Sequence, residues 1–445
     1  MGIGDSNRTE ATGSARAGRQ CQFSRPNGFL SMARNPLAMA SPGGSAQPEL
    51  LKNLNRSLVL GIIRRERVFS RAQVARQSGL SKVTMSAIVD DLVAAGLVRE
   101  VGSGQSSGGR PPQLVEFLPE GRLAIGAHFA HREVIAVATD LDAKTIRELS
   151  RPVADSSAAS VLSTVADLVT DLLATLPRER VLGLGFASPG LVDVEKGIVN
   201  LAIDVGWRDV PAARILSERL DLPTMVANRS KTAALAERWC WDKAGAENLI
   251  YVSIGSGVAA GVVHGDTLYL GATSSAGELG HVTVDPNGPI CECGNRGCLH
   301  VYAGEEAIVR RARELARGDP HGPLAEKIDG DVRSISVDTV IDAALNGDEL
   351  AIQVIDEAGS HVGIALANVV NLFNPDVIVI GGPTSRAGAA LLDRITEVVR
   401  RRALTVPGRH VTIALSRLDT TASAVGGAIL VLREANRLIF QHSHD

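Results

Sequence analysis

Between positions 281 and 298 the chain places one histidine and three cysteines: His281, Cys291, Cys293 and Cys298. The cysteines follow the spacing C-x-C-x4-C and are three of only five in 445 residues. Three thiolates and an imidazole form a tetrahedral zinc set, because zinc accepts sulfur and imposes little geometry of its own. Four protein ligands close the shell and leave no position for an activated water, so the expected role is structural. His281 precedes Cys291 by ten residues, and Asp285, Pro286, Asn287, Gly288 and Pro289 between them predict a turn. Gly288, Gly294 and Gly297 permit a backbone tight enough to aim several side chains at one point. Thiols packed this densely fit a metal site in a reducing compartment, while Cys21 and Cys240 stand apart as inert thiols.

Residues 276–303, AGELGHVTVDPNGPICECGNRGCLHVYA, resemble the zinc loop of the ROK family (repressors, open reading frames and sugar kinases). The family pattern is close to A-G-E-x-G-H followed by C-x-C-G-x-x-G-C-L-E. Ala276, Gly277, Glu278, Gly280, His281, Cys291, Cys293, Gly294, Gly297, Cys298 and Leu299 match it, and His300 stands where the family has Glu. The resemblance extends from about Pro48 to Arg433. It implies an α/β chain in which a two-lobed, actin-like sugar kinase fold holds a sugar between the lobes. It also implies that Glu278 and His281 contact sugar hydroxyls, His281 binding the metal as well, and that Asn228 adds an amide. Asp204 and His300 would join them at positions where the family usually has Asn and Glu.

Phosphoryl transfer on this fold requires glycine turns for the phosphates, an acid for the metal and a carboxylate base for the sugar hydroxyl. ROK kinases have G-x-D-x-G-G-T where this chain has Gly126, Ala127, His128, Phe129, Ala130, His131 and Arg132. The acid and the following glycines are gone. In place of E-N-D-x-N the chain has Ala227, Asn228, Arg229, Ser230 and Lys231, so a guanidinium occupies the base position. With a pKa above about 12 it cannot accept a proton near neutrality. A third motif survives in part as Gly255-Ser256-Gly257-Val258-Ala259-Ala260-Gly261. The expectation is a chain that is not an enzyme. The changes at 229, 231 and 300 outweigh the acid at 204 and favour an acidic, phosphorylated or otherwise modified sugar.

The elements that must position these residues follow from periodicity. Residues 1–47 lack apolar periodicity and predict a disordered tail. Residues 48–118 then read as a winged helix-turn-helix DNA-binding domain expected to fold on its own core. Leu51, Leu54, Leu58 and Ile62 form one helical stripe, Ser70 and Ser81 cap two further helices, and Gly79 turns between them. In the third helix Met85, Ile88, Val89 and Leu92 share one face. Lys82, Val83, Thr84, Ser86 and Ala87 then face DNA, with Arg71 and Ser81 beside them. Strands are predicted at 97–101 and 114–118. By composition the GSGQSSGGRPP tract between them is either a flexible linker or a wing carrying Arg110; ROK repressors have a similar S-G-G-R-P tract, which favours the wing.

From 119 to 440 short apolar runs at 123–127, 134–139, 181–187, 250–254, 261–263 and 377–382 alternate with helical segments at 161–176, 358–371 and 425–434, the last closing the chain. Such alternation is a layered α/β fold. Residues 1–118 carry 15 Lys and Arg against 8 Asp and Glu (+7), and the remainder 31 against 41 (−10). A basic module on an acidic body fits a nucleic-acid partner for the first part only. No run approaches the ~20 apolar residues of a membrane span, and a cytoplasmic location is expected. The resemblance therefore implies a sugar-responsive regulator, most simply a repressor, bound to operator DNA as a homodimer or a dimer of dimers, with structural zinc. Its rivals are an active sugar kinase and a repressor controlled by a protein partner.

Overall fold

Two serines start the helices of the N-terminal module. Ser70 Oγ accepts the Gln73 amide at 3.2 Å and Ser81 Oγ the Thr84 amide at 3.1 Å. These contacts fix the first turns of α2 (Arg71–Ser78) and α3 (Lys82–Ala94). Helix α1 (Pro48–Glu66) precedes them. Strand β1 (Val68–Ser70) pairs with β3 (Gln113–Phe117), which pairs with β2 (Val98–Ser103), so the expected strands lie within two residues of their predicted bounds. Met85, Ile88, Val89 and Leu92 are buried. The computed structural model describes residues 48–104, 112–130, 132–241, 246–265, 267–318 and 331–440, so the expected tail, Arg110 and His131 lie outside the described residues.

The remainder forms two lobes. The first is built on a five-stranded sheet of order β11-β7-β4-β5-β6, from β4 (Leu123–Ala130), β5 (Glu133–Thr139), β6 (Thr145–Pro152), β7 (Val181–Ser188) and β11 (Thr224–Asn228). Its outer face is covered by α4 (Ala158–Leu173) and α5 (Ala212–Leu220). A small sheet of β8 (Leu191–Asp193), β9 (Ile198–Ala202) and β10 (Trp207–Val210) extends it.

The second lobe has the sheet order β14-β13-β12-β15-β16, from β12 (Asn248–Ile254), β13 (Val258–His264), β14 (Thr267–Leu268), β15 (Val377–Gly381) and β16 (Thr412–Leu415). It is backed by α8 (Glu305–Gly318), α9 (Val337–Leu345), α10 (Glu349–Phe373) and α11 (Ala389–Arg402), with α7 (His300–Ala303) and α12 (Thr405–His410) as short connections. Between the lobes lie α6 (Arg229–Cys240) and α13 (Ala422–Arg433). A Cβ at Gly126 would lie 1.8 Å from Ala424 O and one at Gly185 1.9 Å from Gly427 O, so only glycine lets α13 lie this close to the first sheet.

Three expectations need correction. The buried helix around 358–371 begins earlier, because Asp348 caps it by accepting the Ala351 amide at 2.8 Å. The helix at 425–434 does not close the chain, since a short α14 (Ala435–Phe440) follows and turns back onto α1. The Arg56 guanidinium lies 4.2 Å from the centre of the Phe440 ring, and Asn436 Nδ2 donates to Ser57 Oγ. Finally, the core of the winged helix runs on into that of the effector domain. Val59, Ile63, Phe69 and Leu92 belong to one apolar cluster with Leu141, Trp239, Val425 and Leu438.

A buried polar junction completes that contact. Arg64 Nε donates to Asp142 Oδ1 at 2.9 Å and Arg67 Nη1 to Asp142 Oδ2 at 2.6 Å, while the Arg64 guanidinium stacks 4.1 Å over Trp239. Beside it Asp140 Oδ1 accepts the Asp142 and Lys144 amides at 2.9 Å each. Burial raises the Asp140 carboxyl to about 6, above the ~3.9 of an unfolded Asp. The folded state thus favours the neutral acid, and this group's contribution to stability is lost as pH rises from about 4 through 6. Asp140→Asn keeps the accepting oxygen without the charge. It should raise unfolding free energy at pH 7 by about 1–3 kcal/mol, the gain vanishing near pH 4, in denaturant titrations at both pH values.

Candidate functional site

The carboxyl ends of the parallel strands β4, β7 and β11 open onto the cleft between the lobes, the usual ligand crevice of such sheets. Asn228 ends β11 and caps α6: its Oδ1 accepts the Ser230 and Lys231 amides at 2.9 and 3.4 Å, and its Nδ2 donates to Gly190 O at 2.8 Å. The side chain is buried and mostly committed to the protein. Its visible work is holding the helix that presents Arg229 and Lys231, and the geometry gives no support to Asn228 as a free sugar donor.

Arg229 spans the cleft. Its Nη2 donates to Ser256 Oγ at 2.9 Å, in the turn between β12 and β13, and lies 3.7 Å from Asp204 Oδ2 on the first lobe. Lys231 is buried, donates through Nζ to Ser274 O, and faces Glu278. Burial lowers the Lys231 pKa and raises that of Glu278, each effect partly offset by the opposite charge. The cation at 229 therefore lies beside Asp204, and that at 231 faces Glu278. Burial and the neighbouring His281 push the His300 pKa down, favouring the neutral ring.

The metal loop forms the far wall. Cys293 Sγ and Cys298 Sγ are 3.7 Å apart, as are Cys291 Sγ and His281 Nδ1, and all four ligand atoms lie within 4.8 Å of one another. A tetrahedron with 2.3 Å metal–sulfur bonds has edges of about 3.8 Å, so this set fits a metal such as zinc. The sulfurs are free thiols, far beyond the ~2.05 Å of a disulfide. Gly297 (φ 65°) allows the loop to close, since a Cβ there would sit 1.6 Å from Asp285 O. Tyr302 Oη donates to Asp285 Oδ2 at 2.9 Å and stacks 4.1 Å from the His361 ring, pinning the loop to α10. His300, at the start of α7, lies 6.1 Å from His281 between ring centres.

Asp204, Arg229, Lys231, Glu278, His281 and His300 thus converge on one cleft. The nucleotide side is different. His128 is buried in β4, and its Nε2 lies 2.9 Å from Thr420 O.

On the winged helix, Lys82, Val83, Thr84 and Ala87 are exposed on α3, Val83 by 81%, and Ser86 is half-buried. Ser81 and Thr84 bond each other at 2.9 Å. Arg71 has two acidic partners: its guanidinium lies 2.8 Å from Asp90 Oδ1 and donates to Glu100 Oε1 at 3.2 Å. Sequence reasoning missed Arg64, Asp142 and Trp239, which lie up to 175 positions apart and share no motif.

The ROK family model matches residues 124–434. The chain belongs to the ROK family. A putative xylose repressor of Caldicellulosiruptor sp. (strain Rt8B.4) is 33% identical over 86% of this chain and 97% of its own length. Among solved structures, a ROK family transcriptional regulator described as a homologue of the E. coli MLC protein superposes with a TM-score of 0.76 at 27% identity, covering 88% of this chain and 98% of that one. A ROK glucokinase from Streptomyces griseus in complex with glucose and AMPPNP matches at 28% identity and a TM-score of 0.64, covering 69% of this chain and 98% of that one. This ROK chain therefore has the two-lobed sugar kinase-like fold of both neighbours, joined to an N-terminal winged helix.

Proposed function

We propose that the protein is a sugar-responsive transcriptional repressor, in which residues 48–118 bind operator DNA and residues 119–440 sense a carbohydrate without phosphorylating it. The observation that carries this reading is Arg229, a permanent cation at the family's base position, held between Asp204 and Ser256. A buried His128 at the phosphate loop and a repressor relative covered over 97% of its length support the same reading. Glu278, His281 and His300 would meet sugar hydroxyls, with Asp204 and Arg229 on the opposite wall. His281, Cys291, Cys293 and Cys298 would hold structural zinc, which supplies rigidity and no reactive water. Two copies would place two α3 helices on a palindromic operator. Among the described residues no helix is long and apolar enough to cross a membrane, which supports a cytoplasmic location.

Two experiments test this. Lys82→Ala and Arg110→Ala should each weaken binding to DNA from the gene's upstream region and flatten its salt dependence by about one unit of slope, read by fluorescence anisotropy across salt concentrations. Binding that survives deletion of residues 1–118 would refute the DNA assignment. Metal analysis should give one zinc per chain, and Cys293→Ser should lower zinc content and weaken sugar binding, because the loop presenting Glu278, His281 and His300 loses a ligand. A zinc-free wild-type preparation that binds sugar normally would contradict the metal role.

A further inference from the structure

Helix α6 touches both ends of the regulatory problem. Its first turn carries Arg229 and Lys231 into the cleft, and its last turn carries Trp239 to the winged-helix junction, ten residues and about 15 Å away. Trp239 Nε1 donates to Asp142 O at 2.8 Å, and its ring lies under the Arg64 guanidinium. Arg64 belongs to α1, and Arg67 O accepts the Phe117 amide at 2.8 Å, tying the same junction to the strand that closes the wing. Sequence motifs account for the first turn of α6 alone.

The helix is built to act as a unit. Ser230 to Glu237, Trp239 and Cys240 are all buried. It approaches β13 and α13 through glycine: a Cβ on Gly261 would lie 2.5 Å from Ser230 O, and one on Gly426 would lie 1.8 Å from Thr232 O. Glu237 Oε1 accepts from Ser416 Oγ, just beyond β16, and Arg238 Nε donates to Gly265 O at 2.9 Å, so the last turn is fastened to the second lobe. The helix also reaches the first lobe from both ends, at Asp204 through Arg229 and at Asp142 through Trp239. A change in lobe separation must therefore strain both contacts together, as in shear motions of packed helices.

We propose that α6 is the element that carries the state of the cleft to the DNA-binding module: a ligand that displaces Arg229 from Asp204 and Ser256 shifts the helix, and Trp239 passes the shift to Asp142, Arg64 and α1. The purpose of the device rests on the sugar-sensing reading; its geometry does not. Sites farther apart than 7–10 Å with no shared partner normally act independently, so coupling between the two ends is a distinctive consequence.

The test uses the full chain and amide hydrogen exchange of residues 58–67 in a double-mutant cycle of Arg229→Ala and Trp239→Phe. Arg229→Ala should speed exchange at 58–67 in the wild-type background and have little further effect once Trp239 has lost its indole N–H. The departure from multiplicative behaviour should exceed about twofold, the usual limit for independent sites. Ser256→Ala and Arg64→Lys, which leave the buried charge of Asp142 matched, form a second, milder cycle with the same expectation if either first variant folds poorly. No effect at 58–67, or effects that simply multiply, overturns the proposal. So does an Arg229→Ala effect that persists with Trp239→Phe but disappears with Phe440→Ala, which would place transmission in α13 and α14. The cycle needs no sugar, so it is decided separately from ligand sensing. In a parallel arm, D-xylose or D-glucose that protects residues 274–281 must also change exchange at 58–67; protection without that change counts against α6, and binding by neither sugar counts against these ligands alone.

Discussion

Arg229 sets the terms for the rest of the effector domain. A guanidinium is always charged, and placing it between two lobes creates a cost that Asp204 and Ser256 offset by approaching it from opposite sides. That arrangement removes the group a phosphoryl transfer would need and leaves a polar clasp across the cleft. His128 makes a second change, where a buried imidazole whose Nε2 lies 2.9 Å from Thr420 O stands at the position of the acid in the kinase motif.

The metal loop solves a separate problem. Residues 276–299 contain almost no regular structure beyond one short turn, yet they present Glu278 and His281 to the cleft. Backbone bonds such as Val284 N to Gly297 O at 2.8 Å and Leu299 N to Val282 O at 2.9 Å order the segment, the Tyr302–Asp285 bond ties it to α7, and a metal held by His281, Cys291, Cys293 and Cys298 would cross-link it further. His281 lies in both groups, so the loop's rigidity and the cleft's shape depend on the same ring.

Much of this was legible in the sequence. The thiol spacing named the cluster of His281, Cys291, Cys293 and Cys298, and the serine caps placed α2 and α3. Those features are local, so neighbouring residues carry the signal. What was missed is long-range. The sequence marks Asp204 as an acid of the site, but only the fold brings it 3.7 Å from Arg229. Arg71 pairs with Asp90 and Glu100, partners that no local pattern announces. The shared core of winged helix and effector domain was likewise invisible, because α14 and α1 lie at opposite ends of the chain and their contact leaves no periodic trace.

On the proposed reading, occupancy of the cleft must change affinity for DNA. The most direct measurement is footprinting of the full chain on the DNA upstream of its own gene while D-xylose, D-glucose and other sugars are titrated, with sugar saturation followed by calorimetry. The account predicts a protected palindrome whose occupancy changes by about 5- to 150-fold as one sugar saturates the cleft, the usual range for coupled sites. A sugar that saturates the cleft and leaves the footprint unchanged would contradict it.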